Sequence, residues 1–208
     1  MSVTLGNITV DDGVMIHDPT DTVLALSDTN KLYANVKERI SGRVLEIGLG
    51  LGHIRRAIHN SSGVTYLETI EIRQGVIDMW RAHKGTEGII ASPENATRVL
   101  TKGDGEVFMD ASTENWDCVV VDLPSVTRPQ LRAAIRNIMN TLGRRLIIFS
   151  GDRKFNISGF KVHHIDKQNR YHMFVCDRWD PDNGFGTHRP GVRRRPGVGW
   201  VDSNGDPV

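Results

Sequence analysis

From residue 43 onward, short apolar runs alternate with amphipathic stretches, and no other feature of the chain constrains its fold as strongly. RVLEIGL (43–49), TYLETIEI (65–72), ATRVLTKGD (96–104), WDCVVVDL (116–123) and RRLIIFSGD (144–152) read as strands. Between them HIRRAIHN (53–60), QGVIDMWRAH (74–83), EVFMDAS (106–112) and TRPQLRAAIRNIMNTLG (127–143) read as helices. The last of these carries Pro129 in its first turn, a stripe of Leu131, Ile135, Ile138 and Leu142, and Gly143 to close it. Such alternation is the mark of a parallel sheet covered on both faces. FKVHHIDKQNRYHMFVCDRW (160–179) reads as a closing hairpin turning at Gln168-Asn169-Arg170. It adds an antiparallel strand, so the expected class is α/β, doubly wound and mostly parallel, with an antiparallel C-terminal hairpin.

Three regions follow. Residues 1–42 form a short β/α preface, with a hairpin around Asp11-Asp12-Gly13 and a helix over KLYANVKERI (31–40) that ends at Ser41-Gly42. Residues 43–179 form the main domain. Residues 180–208 hold four of the eight prolines and six glycines with little apolar periodicity, and read as an extended tail. Flanking prolines and glycines make Arg193-Arg194-Arg195 part of a solvated tail by default, with phosphate binding or a role as an attachment element as the alternatives.

With 26 basic and 25 acidic residues in 208, the net charge of +1 gives no general reason to expect nucleic acid or an anionic membrane as partner. No run approaches the ~20 apolar residues of a membrane span, and the first residues lack the character of a signal peptide. Cys118 and Cys176 lie in apolar runs and read as reduced core thiols, which suits the cytoplasm. His163, His164 and His172 lack metal-ligand spacing, and no metal is expected. A homo-oligomer is compatible with the exposed hairpin and the tail.

The chemistry concentrates at Glu46-Ile47-Gly48-Leu49-Gly50-Leu51-Gly52, between the first strand of the main domain and its helix. Glycines here allow a sharp turn and close approach of a ligand to the backbone. Glu71 ends the next strand, 19 residues past Gly52, where an acid can accept hydrogen bonds from both hydroxyls of a ribose. The dinucleotide pattern G-x-G-x-x-G would require glycine at Leu51 or His53, and neither position has it.

These residues resemble the E-x-G-x-G-x-G motif of the class I S-adenosylmethionine-dependent methyltransferase superfamily, whose fold is Rossmann-like. Lys102-Gly103-Asp104-Gly105-Glu106-Val107-Phe108-Met109 resembles the G-D-G-x-x-F-[LM] segment of the spermidine synthase branch. Glu71-Ile72-Arg73-Gln74-Gly75-Val76-Ile77 resembles its E-[IL]-D-x-x-V-[IV] run, with Arg73 in place of the aspartate, and Trp116–Leu123 resembles its fourth strand. The motifs span residues 43–123, and the strand pattern carries the likeness to about residue 179. The resemblance implies S-adenosylmethionine or its decarboxylated form as cofactor. Glu46, Gly48, Gly50 and Gly52 would form the cofactor loop, with Glu71 and Ile72 at the ribose and Asp104 and Gly105 at the adenine. Asp122, touching the cofactor and facing the acceptor, would be the catalytic group.

The departures are specific. The larger N-terminal β domain and the Tyr-His-Glu segment of polyamine synthases are not visible, and their D-[SY]-[ST]-D-P has become Asp122-Leu123-Pro124-Ser125 without the second acid. That stretch resembles the [DNS]-P-P-[YFW] motif of amino-group methyltransferases only loosely. The expectation is a methyltransferase for a small-molecule or amine-type acceptor. Two alternatives are an aminopropyltransferase of polyamine type and a non-catalytic scaffold that keeps the fold. His53, opening the helix after the glycines, stands either near the cofactor's methionine carboxylate or on the surface.

Overall fold

In the computed structural model, residues 2–18, 22–26, 30–86, 88–123, 129–141, 143–151, 155–157, 160–168, 171–180, 184–185, 193–195 and 199–201 are described. The preface contains more β structure than one hairpin. Strands β1 (Val3–Leu5), β2 (Ile8–Asp11), β3 (Val14–His17) and β4 (Thr22–Leu26) form an antiparallel meander in sequence order. Asp12 and Gly13 both have positive φ, 44° and 72°, and Asp11 pairs with Val14. This is the two-residue turn whose twist matches that of the flanking strands.

The helix expected over 31–40 is broken. α1 covers Asn30–Ala34, and a 3₁₀ turn covers Lys37–Arg39. Asn35 and Val36 donate from their backbone N–H groups to residues three positions back, which tightens the turn. The Asn35 side chain is drawn away to Asp166 of the distant hairpin at 2.9 Å, so this residue is spent on a tertiary contact.

The main sheet is built from β5 (Gly42–Ile47), β6 (Val64–Glu71), β7 (Arg98–Lys102), β8 (Trp116–Asp122), β9 (Gly143–Ser150), β10 (Phe160–Gln168) and β11 (Tyr171–Asp180). Their order is β10-β11-β9-β8-β5-β6-β7. All the pairings are parallel except those of β11, which runs antiparallel to both β9 and β10. Each central strand is apolar on both sides. Leu45, Val119, Val121, Leu146 and Ile148 face one cluster, and Val44, Cys118, Val120, Ile147 and Phe149 face the other. Helices α4 (Gly105–Ala111) and α5 (Pro129–Thr141) cover the first face, while α1 and α2 (His53–His59) cover the second.

A third cluster joins the preface to the main domain. Ile8, Val10 and Met15 pack with Val76, Ile77, Met79 and Trp80 of α3 (Gln74–His83) and with Leu49 and Leu51 of the glycine loop. Part of the tail is paired: β12 (Gly184–Phe185) adds to β11, and β13 (Arg193–Arg195) pairs with β14 (Gly199–Val201). Cys118 and Cys176 are free and buried, and burial pushes both thiols up to about 12. No helix among the described residues is long and apolar enough to cross a membrane.

Candidate functional site

Chain direction across the sheet reverses between β5 and β8, because β6 and β7 lie on one side of β5 and β8 and β9 on the other. A crevice forms beyond the carboxyl ends of the strands at such a switch point. Register brings the relevant residues level: Ile47 pairs with both Ile70 and Val121, and Glu71 pairs with Lys102. Gly48, Glu71, Asp104 and Asp122 therefore emerge side by side.

Gly48 has φ +96°, and a Cβ there would lie 2.4 Å from the Asp122 carbonyl oxygen. The loop and the end of β8 consequently approach more closely than any side chain would permit. Gly50 is also left-handed. Gly52, at φ +84°, precedes α2, and a Cβ there would meet the Trp80 ring nitrogen at 2.5 Å. Trp80 donates that N–H to the Ile90 carbonyl at 3.0 Å and closes the outer wall of the loop.

Glu71 is held rigidly. Its Oε2 accepts from the Leu49 N–H at 3.1 Å and its Oε1 from the Arg73 N–H at 2.9 Å. A carboxylate has about four lone-pair sites, so acceptor capacity remains on both oxygens. Ile72, 53% exposed, and Val107, 64% exposed, leave two large apolar side chains uncovered after β6 and on α4. Asp104 caps α4, with Oδ1 accepting from Glu106 N–H at 2.8 Å and from Val107 N–H at 3.4 Å. Gly105 is closed by the protein itself: a Cβ there would meet Ile47 Cγ2 at 2.3 Å. Its missing side chain makes room for the core, where the sequence reading assigned that room to a ligand.

Glu46 lies beneath the loop rather than in the crevice, and is completely buried. Its Oε2 accepts from the Thr69 hydroxyl, whose oxygen in turn accepts from Arg55 Nη1. Arg55 donates further to the carbonyls of Val99, Pro93 and Arg98. Burial raises Glu46 to about 8, against the lowering effects of the Thr69 bond and Arg55 and with added repulsion from Asp122 and Glu71. The side chain is therefore largely protonated at neutral pH, and its influence on a ligand would run through the loop it supports.

Asp122 accepts a hydrogen bond from the Tyr33 hydroxyl at 3.2 Å. Burial lifts its carboxyl to about 6, and the Tyr33 bond pulls the other way. Tyr33 packs edge-on against Phe149 and stacks with His53, ring centres 6.0 Å apart. His53 is half-buried rather than on the surface. Burial lowers it to about 4, and its Nε2 is enclosed with no hydrogen-bond partner.

The expected residues of β5–β8 thus converge, while Tyr33, Arg55 and Thr69 were not singled out in the sequence. Tyr33 lies beside the apolar stripe of its helix and gives no local sign of reaching Asp122. Arg55 gives none either, since it is buried while Arg56 beside it is exposed. Residues 124–128, among them Pro124 and Ser125 of the shortened acid motif, lie outside the described residues.

The strand order, with β11 alone reversed, decides the fold. It is the class I methyltransferase fold. No protein-family model and no curated protein matches the sequence. Solved structures do match. Spermidine synthase from Thermotoga maritima aligns with TM-score 0.58 and 13% identity over 91% of this chain and 74% of its own. A spermidine synthase bound to the transition-state analogue AdoDATO aligns with TM-score 0.59 and 14% identity over 89% and 74%. The Escherichia coli protein yhhF, provisionally assigned as a methyltransferase, aligns with TM-score 0.51 and 14% identity over 72% and 84%. At these identities the likeness is one of fold.

Proposed function

We propose that this chain is an S-adenosylmethionine-dependent methyltransferase acting on a small-molecule, amine-type acceptor. The observation that carries this reading is the pairing of Glu71, fixed by the Leu49 N–H, with Asp122, fixed by Tyr33, on either side of the glycine loop. The free lone pairs of Glu71 suit the two ribose hydroxyls, Ile72 and Val107 suit the faces of an adenine, and Asp104 Oδ2 suits its amino group. The cofactor supplies a methyl group on a sulfonium sulfur, so the carbon–sulfur bond breaks as the carbon–nitrogen bond forms.

The chain's own task is alignment and proton removal. Asp122 emerges where an acceptor nitrogen would approach the methionine end of the cofactor. Its carboxylate, with a pKa near 6, is ionised at neutral pH and can hold an ammonium or accept its proton. Tyr33 orients the carboxylate by donating to one oxygen, which leaves the other for the acceptor.

Aminopropyl transfer from decarboxylated S-adenosylmethionine is the second reading. The four-stranded preface favours it, as does alignment to the Thermotoga maritima synthase over 91% of the chain. Loss of the second acid of the polyamine synthase motif, where Ser125 stands, ranks it behind methyl transfer. Calorimetric titration with the two cofactor forms separates the readings. Methyl transfer requires tighter binding of the carboxylated form, and aminopropyl transfer requires the reverse. A folded protein that binds neither form removes both and leaves the scaffold alternative.

A further inference from the structure

Beside the crevice lies a second cavity of about 300 Å³, between the α1–3₁₀ segment and the outer face of α2. Tyr33, Ala34 and Lys37 line it from one side, His53, Arg56, Ala57 and Asn60 from the other, and Ile90 completes it. Residues 53, 56, 57 and 60 share one helical face, so the cavity is written into the spacing of α2. The two alanines leave the room, and the lining is mainly apolar with cations at Lys37 and Arg56. No acidic residue is among these lining residues. Arg56 is anchored by one bond, from Nη1 to the Ala91 carbonyl at 2.9 Å, which fixes the guanidinium and leaves further donors for a ligand.

One residue ties this cavity to the reaction. Tyr33 belongs to both: its ring lines the cavity and its hydroxyl is bonded to Asp122. His53, stacked on Tyr33, lines the cavity as well. The charges are arranged along one direction. The Asp122 carboxylate stands at the hydroxyl end of Tyr33, and the two cations line the cavity.

We infer that the cavity holds the body of the acceptor, and that the acceptor is an amino-carboxylate or similar amine-bearing anion. Its amine points to Asp122 and its anionic group meets Lys37 and Arg56. This inference rests on the transferase reading above. It adds a charge requirement at the far end of the acceptor, which a diamine violates by placing a second ammonium beside two cations.

Matched probes test it, namely 4-(aminomethyl)benzoate against 4-(aminomethyl)benzylamine and 5-aminopentanoate against 1,5-diaminopentane. Each pair differs in the group opposite the reacting amine. Binding is measured calorimetrically to the full chain saturated with S-adenosylhomocysteine. The anionic member of at least one pair is expected to bind tenfold or more tightly than its diamine. Lys37→Glu with Arg56→Glu should abolish or invert that preference, with thermal melts confirming that the variant is folded. Equal binding of both members, preference for the diamines, no binding of any probe, or an anion preference that survives the double charge reversal would each overturn the inference. Titration of the unmodified protein with S-adenosylmethionine is run first: absence of binding there defeats the parent reading, whereas normal cofactor binding with any of those four outcomes defeats only this one.

Discussion

Tyr33 and Asp122 illustrate how burial sets chemistry at single residues. Desolvation raises the Asp122 carboxyl to about 6, and the hydroxyl of Tyr33 restrains that rise. Proton removal requires the ionised form, so kcat/KM for methyl transfer to a competent acceptor should climb as pH rises through about 6 and then level. Tyr33→Phe removes the restraining bond and should move this limb to higher pH; an unmoved limb would show that Tyr33 does not tune Asp122. Glu71→Ala should weaken S-adenosylmethionine binding at least tenfold by calorimetry, consistent with loss of charge-assisted hydrogen bonds worth ~1.5–3 kcal/mol. An unchanged affinity in the folded variant would sink that assignment. Glu46 makes its prediction through stability. Its folded pKa of about 8 lies above its ordinary 4.5, so the folded chain retains a proton that the unfolded chain releases. The contribution of Glu46 to stability is then greatest below about 4.5, declines as pH rises toward about 8, and levels off beyond. Asp122 adds a decline of the same sign that ends near pH 6. Glu46→Gln should flatten the melting temperature between pH 6 and 8 and stabilise the protein above pH 8, on the order of a few kcal/mol.

At the scale of elements, the glycine loop shows why three left-handed residues follow β5. Gly6 and Gly48 make a controlled comparison, since both have positive φ but only Gly48 would drive a Cβ into backbone, 2.4 Å from the Asp122 carbonyl. A Cβ on Gly6 would meet nothing within 4 Å. Gly6→Ala should therefore cost about 1 kcal/mol for the left-handed conformation alone. Gly48→Ala should cost at least ~2–3 kcal/mol in urea unfolding and abolish cofactor binding, because the loop must separate from β8. Equal costs would mean that the close approach does not matter. Elements such as this one were legible in the sequence because local rules govern them. Apolar runs flanked by amphipathic helices marked β5–β9, and the glycine spacing marked the loop. The break in the helix after Ala34 was not legible, since it depends on Asn35 finding Asp166 across the fold. The His164–His172 contact, Nε2 to Nδ1 at 2.9 Å, was hidden for a similar reason. A register shift between His164 and Asp166 of β10 rearranges which side chains meet across the hairpin. Glu46 and Gly105 carry family motif letters yet serve the core, because a motif records residue type without recording which side of the loop it supports.

On the scale of the whole molecule, the two ends of the chain stand in opposite relation to the site. The preface supplies Ile8, Val10 and Met15 to the cluster that contains Trp80, Leu49 and Leu51, and a Cβ on Gly75 of α3 would lie 3.1 Å from Ile8 Cγ1. Each such side chain contributes ~1.5–3 kcal/mol on burial, so their joint removal approaches the stability of an ordinary domain. Removing residues 1–28 should therefore lower the melting temperature steeply and eliminate S-adenosylmethionine binding, because Leu49 and Leu51 would lose their cover and Glu71 would lose the fixed Leu49 N–H. Removing residues 181–208 leaves every strand on the path from β10 to β7 in place and takes away β12, which pairs with the end of β11, and the separate β13–β14 pair. Cofactor affinity and melting temperature should then remain close to those of the full chain. The same truncation examined by sedimentation asks whether the arginine-rich tail serves assembly: a change of oligomeric state with cofactor binding intact would assign it that role. Should tail removal abolish cofactor binding instead, the site would extend beyond the crevice of β5–β8. Intact binding after loss of the preface would detach the third cluster from the loop it is argued to hold.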